Sequence, residues 1–316
     1  MIISASRKTD IPAFFSEWFF NRISEGYALS RNPMNAHQIS RIPLTPGVVD
    51  CIVFWTKNPG PMMDRLDELK DFKYYFQFTL TGYGRDLEMN LPDKKKVLIP
   101  AFQKLADKIG PEKVIWRYDP IAFNDVYTPE YHLSAYRQIA EALKGCTEKS
   151  VISFVDIYKS KNKTALDEMK ITESSEETMY SFASQLVDIA SANGMKIATC
   201  AERIDLAPLG IEHNCCIDKA LIERIVGANL KVRKDASQRE ECGCVASRDI
   251  GTYNSCLHGC RYCYANFKPE TVKATYALYD PKSPILCDSV DEGSGDSIIM
   301  AKAESLIDKQ IRLDIE

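Results

Sequence analysis

Six short apolar segments recur within the first 200 of the 316 residues, and each is followed by a longer segment with helical periodicity. They are nearly continuous in hydrophobicity rather than alternating, which is typical of strands buried on both faces. Alternation of such strands with helices favours parallel βαβ units. The pattern predicts an α/β fold, best described as a partial, TIM-like (β/α)6 barrel, with a doubly wound open sheet as the alternative. The six segments are 1–6, 49–55, 72–80, 113–118, 150–158 and 195–200.

The intervening helices carry recognisable end signals, since one ends at Gly110 and another runs from Pro129 to Gly145. Glycine commonly follows the last residue of a helix. The chain after about residue 268 is predicted to be rich in loops, with one short helix over SIIMAKAESLIDKQI. We therefore predict a barrel core at 1–205 and a cysteine-rich C-terminal region at 206–316 that packs on the barrel mouth.

Composition limits the classes of partner and location. A net charge of −4 is not the signature of a protein that binds nucleic acid or an anionic membrane, although a local basic groove is compatible with it. No segment approaches the roughly 18 apolar residues of a membrane span, and the N-terminus lacks the apolar centre of a signal peptide. We expect a cytoplasmic protein with no membrane partner, in which thiols stay reduced.

Charged residues follow the predicted strands. Arg7 comes after the first, Lys57 after the second, and Arg117 and Asp119 at the end of the fourth. Sites in parallel α/β folds lie at the carboxyl ends of strands, and arginine suits carboxylate or phosphate. We predict that these four residues are catalytic and line a site for an anionic ligand. Asp10 fits an N-cap as well as it fits this site.

The 11 cysteines are unevenly distributed, because eight of them lie between residues 200 and 263. In a reducing compartment, clustered cysteines are more typical of metal sites than of disulfides. Cys256, Cys260 and Cys263 share the segment CLHGCRYCYAN. Their short spacings let one loop wrap an iron–sulfur cluster, and three thiolates leave one iron without a protein ligand. An open coordination position is typical of a catalytic metal centre.

This segment resembles the cluster loop of the radical S-adenosylmethionine (SAM) enzymes, and of the spore photoproduct lyase-like branch in particular. The likeness covers the cysteine spacing, Tyr262 before the third cysteine, and Tyr264-Ala265 after it. The resemblance implies a (β/α)6 partial barrel whose three thiolates hold a [4Fe–4S] cluster, with SAM on the fourth iron. It also implies reductive cleavage of SAM with electrons from a donor such as flavodoxin or ferredoxin. It leaves the substrate unknown.

The position of the loop differs from that superfamily, in which the cysteines follow the first barrel strand; here they follow the sixth. Either the loop reaches back over the barrel mouth from the C-terminal side, or an unrelated barrel carries a similar cluster. The chain also resembles, over nearly its full length, a bacterial family of domain-of-unknown-function proteins. They share the opening SASRKTDIPAF and this late cysteine loop. That second resemblance implies no activity.

The remaining clustered cysteines predict a second metal site, which would hold an auxiliary iron–sulfur cluster or a structural zinc. Its ligands would be Cys200, Cys216, Cys242 and Cys244. A zinc ribbon that combines the C-x-C pair with the last two cysteines of the loop is an alternative, and it leaves Cys256 without a role. In that case the protein is a metal-binding barrel whose cysteines are structural, and SAM is not used.

Overall fold

The computed structural model describes residues 1–157 and 163–308. The strands within these ranges, in chain order, are β1 (Ile2–Ala5), β2 (Tyr27–Asn32), β3 (Asn35–Pro43), β4 (Cys51–Thr56), β5 (Tyr74–Thr79), β6 (Val114–Ile121), β7 (Lys149–Phe154), β8 (Lys196–Cys200), β9 (Glu212–Asn214), β10 (Arg248–Asp249) and β11 (Ser297–Met300). The helices are α1 (Ile11–Phe14), α2 (Ser16–Glu25), α3 (Gly60–Met63), α4 (Ile99–Ile109), α5 (Pro129–Ala142), α6 (Lys163–Glu168), α7 (Glu176–Ala192), α8 (Lys219–Val226) and α9 (Pro269–Tyr276).

Eight strands form one parallel sheet in the spatial order β10-β1-β4-β5-β6-β7-β8-β9. The six predicted strands are confirmed as its central members, β1 and β4 to β8. The fifth predicted segment ends at residue 158, which lies outside the described residues. The short strands β9 and β10 extend the sheet at its two ends. A mixed α/β fold with a large parallel sheet is thus confirmed, while closure into a barrel stays a prediction.

The two faces of this sheet are covered by different layers. In β4, Ile52 and Phe54 pack into the large core beneath the helices, whereas Cys51 and Val53 belong to a second core on the opposite face. This alternation follows from the two-residue period of a strand. The second core is completed by residues from the segment 216–245. Most of the helices therefore cover one face, whereas α8 and the cysteine-rich chain around it cover part of the other.

Several helix ends obey the sequence signals. Helix α4 ends at Gly110, whose φ of 100° suits glycine. The side chains of Thr128 and Ser175 accept hydrogen bonds from backbone N–H groups at the starts of α5 and α7, as N-caps do. Among the described residues, no helix combines the length and apolar character that a membrane crossing requires.

The predicted helix over 297–311 is wrong where the structure describes it. Ser297–Met300 forms β11, which pairs in parallel with β3 in a separate three-stranded sheet of order β11-β3-β2. Ile298 and Ile299 are β-branched and favour strands, and the edge of β3 supplies backbone partners that periodicity along the chain does not reveal. Residues 309–311 of the predicted helix lie outside the described residues.

Candidate functional site

The cysteine loop lies across the carboxyl ends of strands in the first half of the sheet. His258 Nε2 is 2.7 Å from Asp10 Oδ2, beyond the end of β1. The Tyr264 hydroxyl donates to the carbonyl oxygen of Arg7 at 2.9 Å. Beyond β5, the backbone N–H of Asn90 donates to the carbonyl oxygen of His258 at 3.1 Å. The loop therefore reaches back from the C-terminal region to the end of the first strand.

Asp10 performs both roles that the sequence allowed for it. Its Oδ1 accepts from the backbone N–H of Ala13 at 3.0 Å and caps α1. Its Oδ2 accepts from the backbone N–H of Lys57 at 2.7 Å and contacts His258. One buried carboxylate thus connects the ends of β1 and β4 to the cysteine loop.

The three cysteines of the loop, Cys256, Cys260 and Cys263, line a single cavity of about 770 Å³. Its other walls come from α6, α9 and the segment 89–90, and its volume is typical of small-molecule and cofactor sites. Gly259 has a φ of 67°, and a Cβ at this position would lie 3.1 Å from Asn90 Nδ2. Glycine therefore lets the loop turn tightly between two of its cysteines.

The donor set of this cavity fits an iron–sulfur cluster better than one ion. In the ranges that the structure describes, no group of three or more His, Cys, Asp or Glu side chains is arranged to hold a metal ion. A cluster places each thiolate on a different iron, so its ligands need not converge on one point. Asn266 donates to the carbonyl oxygen of Cys256 at 2.7 Å, and its buried Oδ1 has no partner among the described residues. The cavity wall therefore keeps one unsatisfied polar atom beside a predicted ligand.

A buried carboxylate that we did not identify from the sequence lies behind the loop. Glu88 is 1% exposed and accepts from Lys57 Nζ at 2.7 Å, from Lys94, and from the hydroxyl of Tyr262 in the loop. Burial acts to raise the pKa of Glu88, but the two lysines overcome it and hold this pKa at about 2. Glu88 also forms a backbone bridge with Cys260. The carboxylate therefore attaches the loop to the end of β4, and no local pattern in the sequence marks Glu88 as buried.

The four predicted catalytic residues separate into two places. Lys57 lies beside Cys260 and Glu88; burial acts to lower its pKa, but these negative groups raise it above its ordinary value. Arg117 forms an ion pair with Asp119, and its Nη1 lies 2.7 Å from the sulfur of Cys216. The guanidinium of Arg7 lies near the sulfurs of Cys216 and Cys244. One cation therefore accompanies the loop, and two accompany the other cysteines.

Those other cysteines lie together as the second predicted set. The sulfurs of Cys200 and Cys216 are 3.2 Å apart, and side-chain hydrogen bonds connect Cys216 to Cys244 and Cys244 to Cys242. The hydrogen bond with Cys244 lowers the pKa of Cys242 to about 7. The four thiols thus form a continuous chain of contacts.

The zinc ribbon alternative requires Cys242 and Cys244 to meet Cys260 and Cys263. The structure instead places the first pair against Cys216, while the second pair lines the cavity together with Cys256. The two halves of the ribbon therefore belong to different groups. The C-x-C pair packs in the second core beside Cys200, at the end of β8, and Cys216, after β9. The loop cysteines line the cavity instead.

These features define an α/β protein whose cysteine loop lies across the carboxyl ends of a parallel sheet and lines a cavity. The chain belongs to the family described as Domain of unknown function (DUF1848), whose model matches residues 2–265, and this confirms the second resemblance. No curated protein matches the chain. Among solved structures, it is similar to a Bacteroides thetaiotaomicron protein named for a proposed alpha-L-fucosidase activity, at 12% identity. That match has a TM-score of 0.26 and covers 50% of this chain and 66% of the other, which is too weak to support an argument.

Proposed function

We propose that this protein is an iron–sulfur enzyme of the radical SAM type. Cys256, Cys260 and Cys263 would hold a [4Fe–4S] cluster, and SAM would be the co-substrate. The proposal is carried by the observation that these three thiols line one cavity and that their loop contacts residues at the ends of parallel strands. Parallel α/β folds bind ligands and perform catalysis at that edge.

The proposal includes a partial barrel. The six central strands follow chain order across the sheet, whereas a doubly wound sheet reverses its order at a switch point. Alternate residues of β4 enter two different cores, as expected when one face is enclosed and the other carries helices. The C-terminal loop would then supply, from one side of the barrel mouth, the three cluster ligands that the superfamily supplies after its first strand.

The chain's own residues would prepare the site for negative charge. A bound cluster would supply one electron for reductive cleavage of SAM. Burial raises the pKa of the Cys260 thiol to about 12, and the positive charge of Lys57 beside the sulfur acts against this rise. Glu88 holds Lys57 and the Tyr262 hydroxyl in place. Of the four strand-end residues, Lys57 is the one that lies beside the loop, whereas Arg7 lies with the other cysteines.

Anaerobic purification and metal analysis test the cluster. We expect brown protein that absorbs near about 400 nm and contains about four iron and four sulfide per chain. Cys256→Ala should lose the absorbance and most of the iron. Cys146→Ala is the matched control, because Cys146 lies outside both cysteine sets, and it should keep them.

Addition of SAM and dithionite tests the reaction. We expect 5′-deoxyadenosine and methionine from the wild-type protein and from Cys146→Ala, but not from Cys256→Ala. Brown protein that forms neither product would reject the role of SAM while leaving the cluster. Colourless protein without iron, in which Cys256→Ala behaves like the wild type, would reject the cluster as well and favour structural cysteines.

A further inference from the structure

The second set of cysteines joins three separate parts of the chain. Cys200 ends β8, Cys216 follows β9, and Cys242 and Cys244 precede β10. β9 and β10 lie at opposite ends of the sheet. The contacts between these thiols therefore connect segments that the strand pairing alone keeps apart.

The position of Cys216 is determined by strand β5. The hydroxyl of Tyr75 and the Nε2 of Gln77 both donate to the carbonyl oxygen of Cys216, at 2.6 and 2.9 Å. The N–H of Ile217 donates to the sulfur of Cys244 at 3.3 Å. Cys216 and Cys244 are buried. Their sulfurs are thus held among apolar side chains.

We propose that Cys200, Cys216, Cys242 and Cys244 bind one tetrahedral divalent metal ion, with Zn²⁺ as the ion that fits best. Zinc–thiolate bonds of about 2.3 Å place the four sulfurs of a tetrahedron about 3.8 Å apart. The sulfurs of Cys200 and Cys216 are 3.2 Å apart, which is within a small side-chain rotation of that spacing. A cluster would need its thiolates on separate irons and hence farther apart. Among the described residues no three of these thiols already surround a common centre. They contact one another in a chain, so zinc binding requires side-chain rotations that replace these contacts.

The surrounding charges fit such an ion. Four thiolates around Zn²⁺ carry two excess negative charges, and a buried charge needs a partner. Arg117 Nη1 lies 2.7 Å from the Cys216 sulfur, and the guanidinium of Arg7 lies near Cys216 and Cys244. Four protein ligands complete the tetrahedron, which is the mark of a structural site. The ion would fasten 216–244 to the sheet and hold both arginines at the carboxyl ends of their strands.

Zinc and iron analysis of the anaerobically purified full chain tests the proposal separately from the proposed function. We expect about one zinc per chain that survives dialysis. The zinc content of Cys216→Ser should be at least tenfold lower than that of the wild type, while its iron content stays the same. Cys256→Ala should keep its zinc and lose its iron. Cys146→Ser is the matched control and should keep both, because Cys146 lies outside both cysteine sets. A protein with zinc but no iron would support the zinc site and refute the proposed function.

X-ray absorption at the zinc edge of the wild-type protein tests the same proposal without a variant, so it still applies if Cys216→Ser does not fold. Four sulfur ligands at about 2.3 Å would support the proposal. Fewer than four sulfurs, a disulfide between Cys200 and Cys216 in protein without zinc, or iron and sulfide in this set would overturn it. Loss of zinc from Cys215→Ser but not from Cys216→Ser would also overturn it.

Discussion

Replacement of Glu88 by glutamine removes one negative charge from a buried network without a change in size. The carboxylate of Glu88 is 1% exposed and pairs with Lys57 and Lys94. Its pKa falls from an ordinary value of 4.5 to about 2 in the folded protein. This difference of about 2.5 pH units, at about 1.4 kcal/mol per unit, corresponds to about 3 kcal/mol of stability. Loss of one partner from a buried ion pair costs about 3–5 kcal/mol, which agrees.

The sign of this contribution follows from the lowered pKa. The folded state binds fewer protons than the unfolded chain, so the stabilisation is complete above about pH 4.5 and is lost as the pH falls towards 2. At pH 7 we therefore expect Glu88→Gln to be about 3 kcal/mol less stable than the wild type.

Urea denaturation followed by circular dichroism at pH 7 measures the effect. The matched control is Glu141→Gln, an exposed glutamate on α5, which should change stability by less than about 0.5 kcal/mol. Both comparisons are repeated on metal-free protein, so that loss of a cofactor is not mistaken for loss of the ion pairs. Glu88→Gln with the stability of the control would refute the reasoning.

Three further predictions concern neighbouring features. Asp10→Ala should lower the free energy of unfolding by about 1–2 kcal/mol through loss of the α1 cap and should reduce bound iron; unchanged values for both would contradict the connecting role of Asp10. Gly259→Ala should cost about 1–2 kcal/mol, because its φ of 67° and the nearby Asn90 disfavour a side chain; thermal unfolding beside Gly47→Ala, an uncrowded glycine, measures this. Burial raises the pKa of Glu202 to about 7, so the free energy of unfolding falls as the pH rises from about 4.5 to 7. Urea midpoints at pH 5 and pH 8 measure this fall, which Glu202→Gln should remove. An equal fall in the wild type and the variant would contradict the prediction.

The central sheet was predictable because strands buried on both faces have a local signature in continuous apolar segments such as 49–55. The strand at 297–300 was not predictable, because its backbone partners on β3 are more than 250 residues away in the chain. Glu88 was missed for a related reason. A glutamate in a polar segment looks exposed, and only the contacts with Lys57 and Lys94 show that it is buried and ionised.

The cysteine loop shows the same division. The spacing of Cys256, Cys260 and Cys263 is a local property, so the sequence by itself determined that these three thiols lie on one short loop, and it predicts the iron–sulfur cluster that we propose there. It also located the charged strand ends. Only the tertiary structure decided where the loop lies, because the contact between His258 and Asp10 joins residues 248 positions apart. It alone also separated the remaining cysteines into their own set, since ligand grouping depends on distances in space that spacing along a chain does not specify.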